Sequence, residues 1–225
     1  MYDIVFISYN EPNADTNWQD LKSRFPRAKR IDGVKGIHQA HMEAAKRCFT
    51  KMFWVVDADA QIVPEFNFTH KVDEYDLETV HVWRSINPIN DLVYGYGGIK
   101  LLPRGLTLNM DTSKPDMTTS ISQYFKAMPE IANVTAFNTD PFNTWKSAFR
   151  ECAKLASNSI DRQITEETQA RLATWCSIGK DRPYGEYAIA GALEGKNFAE
   201  TSRDNIQKIN DFEWLHEQFS KYTLG

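Results

Sequence analysis

The chain has 225 residues, 42% of them apolar, a net charge of −4 and a mean hydropathy of −0.50. That length supports one substantial core, or a core with a helical appendage, and the charge excludes a globally basic nucleic-acid binder. No apolar run reaches the roughly 20 residues that a bilayer crossing needs, so no membrane partner and a cytoplasmic location are expected.

Met1 to Ser8 lacks the basic flank and small-residue cleavage site of a leader, and Asp3-Ile-Val-Phe-Ile-Ser8 reads as a buried first strand. Asn10-Glu11-Pro12 ends it. A helix is expected over Asp15 to Phe25, where Trp18, Leu21 and Phe25 fall three and four apart and Pro26 stops the pattern. Ala28 to Ile31 is a second strand, followed by Asp32-Gly33. From Ile37 to Phe49 the residues Ile37, Ala40, Ala44, Ala45 and Cys48 share one helical face. Met52 to Asp57 is a continuous apolar run suited to a strand buried on both faces. Strand, helix, strand, helix, strand argues for an α/β sandwich with a parallel sheet covered by helices.

Beyond that point the pattern changes. Val80 to Trp83 and Ile99 to Leu102 read as strands, with Tyr94-Gly-Tyr-Gly-Gly98 between them, and Thr118 to Asn133 suits either helix or strand. Helices are expected from Trp145 onward, with Trp145, Phe149, Cys152 and Ala156 as one stripe, then over Glu166 to Ile178, Tyr187 to Leu193 and Phe212 to Tyr222. No linker or repeat divides the chain, so 1–225 is expected as one domain, with halves 1–105 and 106–225. The three cysteines, Cys48, Cys152 and Cys176, are widely spaced without a CxxC. They suit buried free thiols rather than a zinc site or a disulfide framework.

The most informative tripeptide is Asp57-Ala58-Asp59. It follows an apolar strand, so its carboxylates emerge at the strand's carboxyl edge, where open α/β sheets bind ligands. Residues two apart share a side of an extended chain, and two such carboxylates suit a hard cation holding a diphosphate. A polar turn after a strand is the alternative reading of the same residues.

Those residues and their setting resemble GT-A glycosyltransferases of the family-2 kind. Ser8-Tyr-Asn-Glu11 stands where that family ends its first strand, Lys35-Gly-Ile-His-Gln-Ala-His-Met-Glu-Ala-Ala45 where its Gly-led helix begins, and Phe53 to Asp59 where it carries strand and DxD. The likeness covers roughly the first hundred residues, with His41 and Lys46 where the family often has Arg and Asn. The whole chain is also similar to small glycosyltransferase-like proteins of T4-like bacteriophages. Trp54-Val-Val-Asp-Ala-Asp59, Val80-His-Val-Trp-Arg84, Asn87-Pro-Ile-Asn90, Tyr94-Gly-Tyr-Gly-Gly98 and Trp145-Lys-Ser-Ala-Phe-Arg150 carry that likeness.

The resemblance implies a GT-A-like, Rossmann-type α/β/α sandwich with a mostly parallel central sheet and a helical C-terminal region. It implies a metal-dependent transfer of sugar from a nucleotide-sugar donor, a UDP-sugar first, to an acceptor hydroxyl. If the chain is phage-encoded, its place is the host cytoplasm and the acceptor is expected to be 5-hydroxymethylcytosine in DNA. The basic cluster Lys22, Arg24, Arg27, Lys29, Arg30 and Lys35 would meet phosphates.

Within that reading Ser8, Tyr9, Asn10, Glu11 and Asp32 hold the nucleoside, while Glu11 and Asp32 equally suit turns. Lys35 and the helix start at Gly36 face the diphosphate. Asp57, Ala58 and Asp59 complete the donor site, with Asp57, Asp59 and, by analogy with GT-A enzymes, His216 around Mn²⁺ or Mg²⁺. Tyr94, Tyr96, Gly97 and Gly98 form the acceptor side or a tight hairpin. An inverting transferase needs a carboxylate base, for which Asp140, Asp116 and Glu151 are the candidates. Asp140 also suits a helix cap. His38 and His41 share a helix face without an evident third zinc ligand, and His81 reads as a hydrogen-bonded strand histidine. No nucleophile elbow or P-loop occurs. A nucleotidyltransferase would want a glycine-rich basic loop where Tyr9-Asn-Glu-Pro12 stands, and an inactive binding module with a transferase fold is the third reading.

Overall fold

The computed structural model describes residues 1–95, 97–114, 116–159 and 163–224. Its opening follows the hydrophobic pattern closely. β1 (Asp3–Ser8), α1 (Ala14–Arg24), β2 (Lys29–Asp32), α2 (Ile37–Lys46) and β3 (Met52–Asp57) alternate, and β1 pairs in parallel with both β2 and β3. Then come β4 (Ala60–Ile62), β5 (Val80–Ile86), β6 (Val93–Tyr94), β7 (Ile99–Pro103), α3 (Arg104–Leu108), α4 (Met117–Ile121) and β8 (Phe125–Thr135). The segment that suited either helix or strand is thus both, α4 and then β8. Strand order is β2-β1-β3-β7-β5-β8-β4, with β6 on β5.

The expectation of a mostly parallel sheet is corrected: the sheet is mixed. β2–β1, β1–β3 and β5–β8 run parallel, whereas β3–β7, β7–β5, β5–β6 and β4–β8 run antiparallel. Parallel neighbours need a long crossover, usually helical. The chain between β5 and β7 carries only the short β6, so β7 returns antiparallel beside both β5 and β3.

Helices lie on both faces of this sheet. Ala14 and Leu21 of α1 pack with Ile4, Phe6, Trp54, Val56, Trp83, Ile99 and Leu101 on one face. Ala44 and Ala45 of α2, with Met117 and Ile121 of α4, pack on Val5, Phe53, Val55, Val82 and Leu102 on the other. The first face is aromatic, with the ring centroids of Trp54 and Trp83 4.5 Å apart and Phe68 edge-on to Trp54 at 5.1 Å. Such pairs add to area burial because ring edges meet ring faces of opposite partial charge.

The chain divides into two compact units. The first holds Met1–Asn87, Val93–Ser113 and Met117–Ala136, and the second Pro88–Leu92, Lys114–Asp116 and Phe137–Gly225. The second is built from α5 (Pro141–Ser157), α6 (Thr165–Trp175), α7 (Gly185–Thr201) and α8 (Phe212–Leu224), with a 3₁₀ segment at Arg203–Asn210. Pro141 opens α5, and Asn158 closes it in the left-handed conformation at φ 56°. Trp145, Phe149 and Ala153 of α5 pack on Ala199, Ile209 and Leu215. The α5–α7 crossing is closest at two glycines. A β-carbon on Gly191 or Gly195 would stand 2.9 Å or 2.8 Å from the carbonyl carbon of Trp145 or Phe149. No helix among the described residues is long and apolar enough to cross a membrane.

Candidate active site at the carboxyl edge of the parallel strands

Because β2, β1 and β3 are parallel, their carboxyl ends share one edge of the sheet. Register places Ser8 opposite Asp32 and Ile7 opposite Asp57. This sets the donor-side residues Ser8, Asp32 and Asp57 at one edge of the sheet within the first unit, Ser8 and Asp32 on the α1 face and Asp57 on the other. Ser8 Oγ donates to Asp32 Oδ1 at 2.5 Å, and Arg30 Nε donates to Ser8 Oγ at 2.9 Å. The guanidinium of Arg30 also reaches Asp15 at 2.6 Å and Asp32 at 3.2 Å. Past β1, Asn10 turns the chain at φ 67°, and the Glu11 carboxylate accepts from the Tyr9 amide at 2.6 Å. Glu11 therefore braces its own turn, one of the two roles the sequence allowed it.

Asp57-Ala58-Asp59 is pinned by its backbone. The Asp57 amide donates to Gly98 O at 2.9 Å, Ala58 O accepts from Asn17 Nδ2 at 2.7 Å, and Asp59 O accepts from the Ala136 amide at 2.7 Å. Each buried backbone group so paired avoids the cost of losing water without a partner. The tripeptide is thus a rigid turn between β3 and β4 and also a presenter of carboxylates.

The principal side-chain partner of Asp57 is Lys100 of β7, a residue that pattern reading passed over. Lys100 sits opposite Val55 and Val82, in a row of the sheet that is otherwise apolar at its centre. Val55 and Asp57 are two residues apart on one strand face, so the register carries the Lys100 side chain towards Asp57. Its Nζ donates to Asp57 Oδ1 at 2.9 Å and Oδ2 at 2.8 Å. The Lys100 side chain is 4% exposed, that of Asp57 35%. An ammonium this buried needs a carboxylate beside it, and Asp57 supplies one. The available signal was a single lysine inside Ile99-Lys-Leu-Leu-Pro103.

Neighbours of this pair are polar and closely fitted. Gly98 lies on Asn133, where a β-carbon would come within 2.8 Å of the amide nitrogen. Asn133 Nδ2 donates to Ser85 Oγ at 2.9 Å and Thr135 Oγ1 at 3.2 Å, and all three residues are buried. Gly97, at φ 82°, faces Lys100, with its would-be β-carbon 3.8 Å from Nζ. Its positive φ is the conformation that favours glycine. Tyr94 is buried in β6 opposite Ser85, while Tyr96 lies outside the described residues.

Gly36 caps α2 at φ 96° with no side-chain acceptor, and no acidic residue stands in the first turn, so the helix presents its positive end. One turn in, His41 is buried, with Nδ1 2.8 Å from Ile37 O and Nε2 without a partner. Burial foremost, and then the Lys100 charge, push its pKa down to about 3, so the imidazole is neutral. His38 Nε2 pairs with Ser120 Oγ at 3.1 Å. His81 is buried beside Thr79 O at 3.0 Å, and burial lowers its pKa.

The remaining candidates fall in the second unit. Asp140 is the N-cap of α5: Oδ1 accepts from the Asn143 amide at 2.8 Å and Oδ2 from Asn143 Nδ2 at 2.6 Å. Burial raises its pKa, yet the Asn143 and Thr139 donors outweigh burial and hold its carboxyl below the usual range. Asp116 and Glu151 are brought together by Lys154, whose Nζ lies 3.9 Å and 3.3 Å from their carboxylates. The His216 ring stacks on Phe142 with centroids 3.5 Å apart.

Asp57, expected with Asp59 at Mn²⁺ or Mg²⁺, accepts from the Lys100 ammonium through both of its oxygens. Among the described residues no group of three or more His, Cys, Asp or Glu is gathered for a metal. Four residues of the basic cluster near β2 have partners within the protein. Lys22 donates to Pro26 O and Ala28 O, Arg24 to the carbonyls of residues 62, 63, 64 and 66, and Lys29 and Arg30 to carboxylates.

No family model matches the chain, and no curated protein matches it. Among solved structures it is similar to the crystal structure of HddC from Yersinia pseudotuberculosis. That likeness spans 59% of this chain and 92% of that one, with 14% identity and a TM-score of 0.36, too low to carry an argument about fold or function.

Proposed function

We propose that the chain is a glycosyltransferase that takes a sugar from a nucleoside diphosphate donor, a UDP-sugar first, at the carboxyl edge of β2, β1 and β3. The observation that carries this reading is that β1, β2 and β3 all end at one sheet edge in Ser8, Asp32 and Asp57, with Ser8 and Asp32 on the α1 face and Asp57 on the α2 face, beside the glycine turn at Gly97 and Gly98. Ligands of open α/β sheets bind outside the carboxyl ends of parallel strands, and three such ends here carry polar residues. Exposed Asp32 is suited to accept from ribose hydroxyls, and the start of α2 to receive phosphate oxygens. In the reaction the bond from the anomeric carbon to the diphosphate breaks, a bond from that carbon to the acceptor oxygen forms, and the acceptor's proton passes to a base. The GT-A-like architecture belongs to this same reading.

The test is release of nucleoside diphosphate from a panel of UDP-, GDP-, CDP- and ADP-sugars, with Mn²⁺, with Mg²⁺ and in EDTA. Each is run with hydroxymethylated DNA, unmodified DNA or neither. Release from one donor class, lost in Asp57→Ala, is expected. A panel with no release in any condition sinks the transferase reading. Release indifferent to hydroxymethylated DNA removes the DNA acceptor, which rests on the phage resemblance.

A further inference from the structure

Lys100 has a use in this site beyond holding Asp57 in place. An ammonium has three N–H donors, and the Asp57 carboxylate occupies the side of Nζ facing β3. Its other side faces Gly97, where a β-carbon would stand 3.8 Å from Nζ, in van der Waals contact with it. The pair is not sealed, because the Asp57 side chain is 35% exposed while that of Lys100 is 4% exposed. One ammonium therefore stands against the Asp57 carboxylate at the strand edge.

Two nearby features point to an anion. α2 begins at Gly36 with neither a capping side chain nor an acidic residue in its first turn. The next turn carries His41, buried with Nε2 unpartnered.

Resting on the transferase reading above, we infer that Lys100 is the cation of this site: its ammonium, anchored by Asp57, binds the donor's diphosphate and makes donor binding independent of a divalent metal. No bond changes in this step. Lys100 passes a hydrogen bond to a phosphate oxygen and stays charged as the sugar leaves, opposite the negative charge that develops on the departing diphosphate.

The experiment is calorimetric titration of UDP, GDP, CDP and ADP into the full chain, in EDTA and in Mn²⁺, for wild type and Lys100→Gln. One nucleotide is expected to bind wild type with the same affinity, within about twofold, in either condition. Lys100→Gln is expected to weaken it by about tenfold or more, the effect of losing a hydrogen bond to a charged group. Circular dichroism checks the variant's fold, and the wild-type comparison of EDTA with Mn²⁺ decides the question without it. Binding in Mn²⁺ that EDTA abolishes overturns the role of Lys100 while leaving the transferase reading intact. Absence of binding by every nucleotide in both conditions overturns both. Equal affinity in Lys100→Gln and wild type also overturns the inference.

Discussion

Removing either partner of the Asp57–Lys100 pair should cost unequal amounts, and the inequality follows from burial. In Asp57→Ala the Lys100 ammonium loses both of its acceptors while its side chain remains 4% exposed. Breaking a buried pair in this way costs about 3–5 kcal/mol. In Lys100→Met the remaining carboxylate is 35% exposed, water can reach it, and methionine fills much of the lysine stem's volume. That loss should be about 1 kcal/mol, in the range of partly exposed pairs. The double variant should then resemble Lys100→Met alone, giving a coupling of roughly 3–5 kcal/mol. For a chain of this length 1 kcal/mol shifts Tm by about 2–4 °C, so Asp57→Ala should melt about 10 °C lower. Denaturant unfolding of the four proteins at constant pH measures the cycle. Equal losses in the two single variants, or an additive double variant, would refute the reasoning.

Three further outcomes follow from other parts of the fold. His41 is held near pKa 3, below its unfolded value of about 6.5, so the unfolded chain binds the extra proton between those values. Stability should therefore fall as pH drops from about 6.5 to 3, and His41→Leu should flatten that limb in unfolding measured across the window. Cys176 is held near pKa 7, chiefly by a hydrogen bond from Cys152, whereas Cys48 is buried and pushed up to about 12. Iodoacetamide should thus label Cys176 first, with a rate midpoint near pH 7 that moves towards 9 in Cys152→Ala; peptide mass spectrometry reads both effects. Gly195→Ala forces a methyl onto the Phe149 backbone, an obstacle that no side-chain rotation relieves, and should destabilise by about 1–3 kcal/mol. A Tm equal to wild type would contradict the packing described for α5 and α7.

Local pattern was enough to locate β1, α1, α2 and β3, because each is an apolar run or stripe of the right period bounded by Pro, Gly or a polar turn, and β2 between the two helices was located with Ile31 as its one buried apolar residue. The same pattern put Asp57 and Asp32 at strand ends, and α5 was legible from the spacing of Trp145, Phe149 and Cys152. Periodicity carries no information on strand direction, however. The mixed sheet depends on how the segment between β5 and β7 returns, and only the folded chain decides that. Short elements such as β4, β6 and α3 hold too few residues for a period to emerge. Asp140 shows a second limit: one residue type serves as cap or as base, and the Asn143 donors around it, not its identity, make it a cap. Lys100 shows the third. In sequence it is one charge among apolar residues. Antiparallel pairing of β7 with β3 brings it to Asp57 across 43 positions of chain, and a contact of that range is fixed by tertiary register rather than by any local preference.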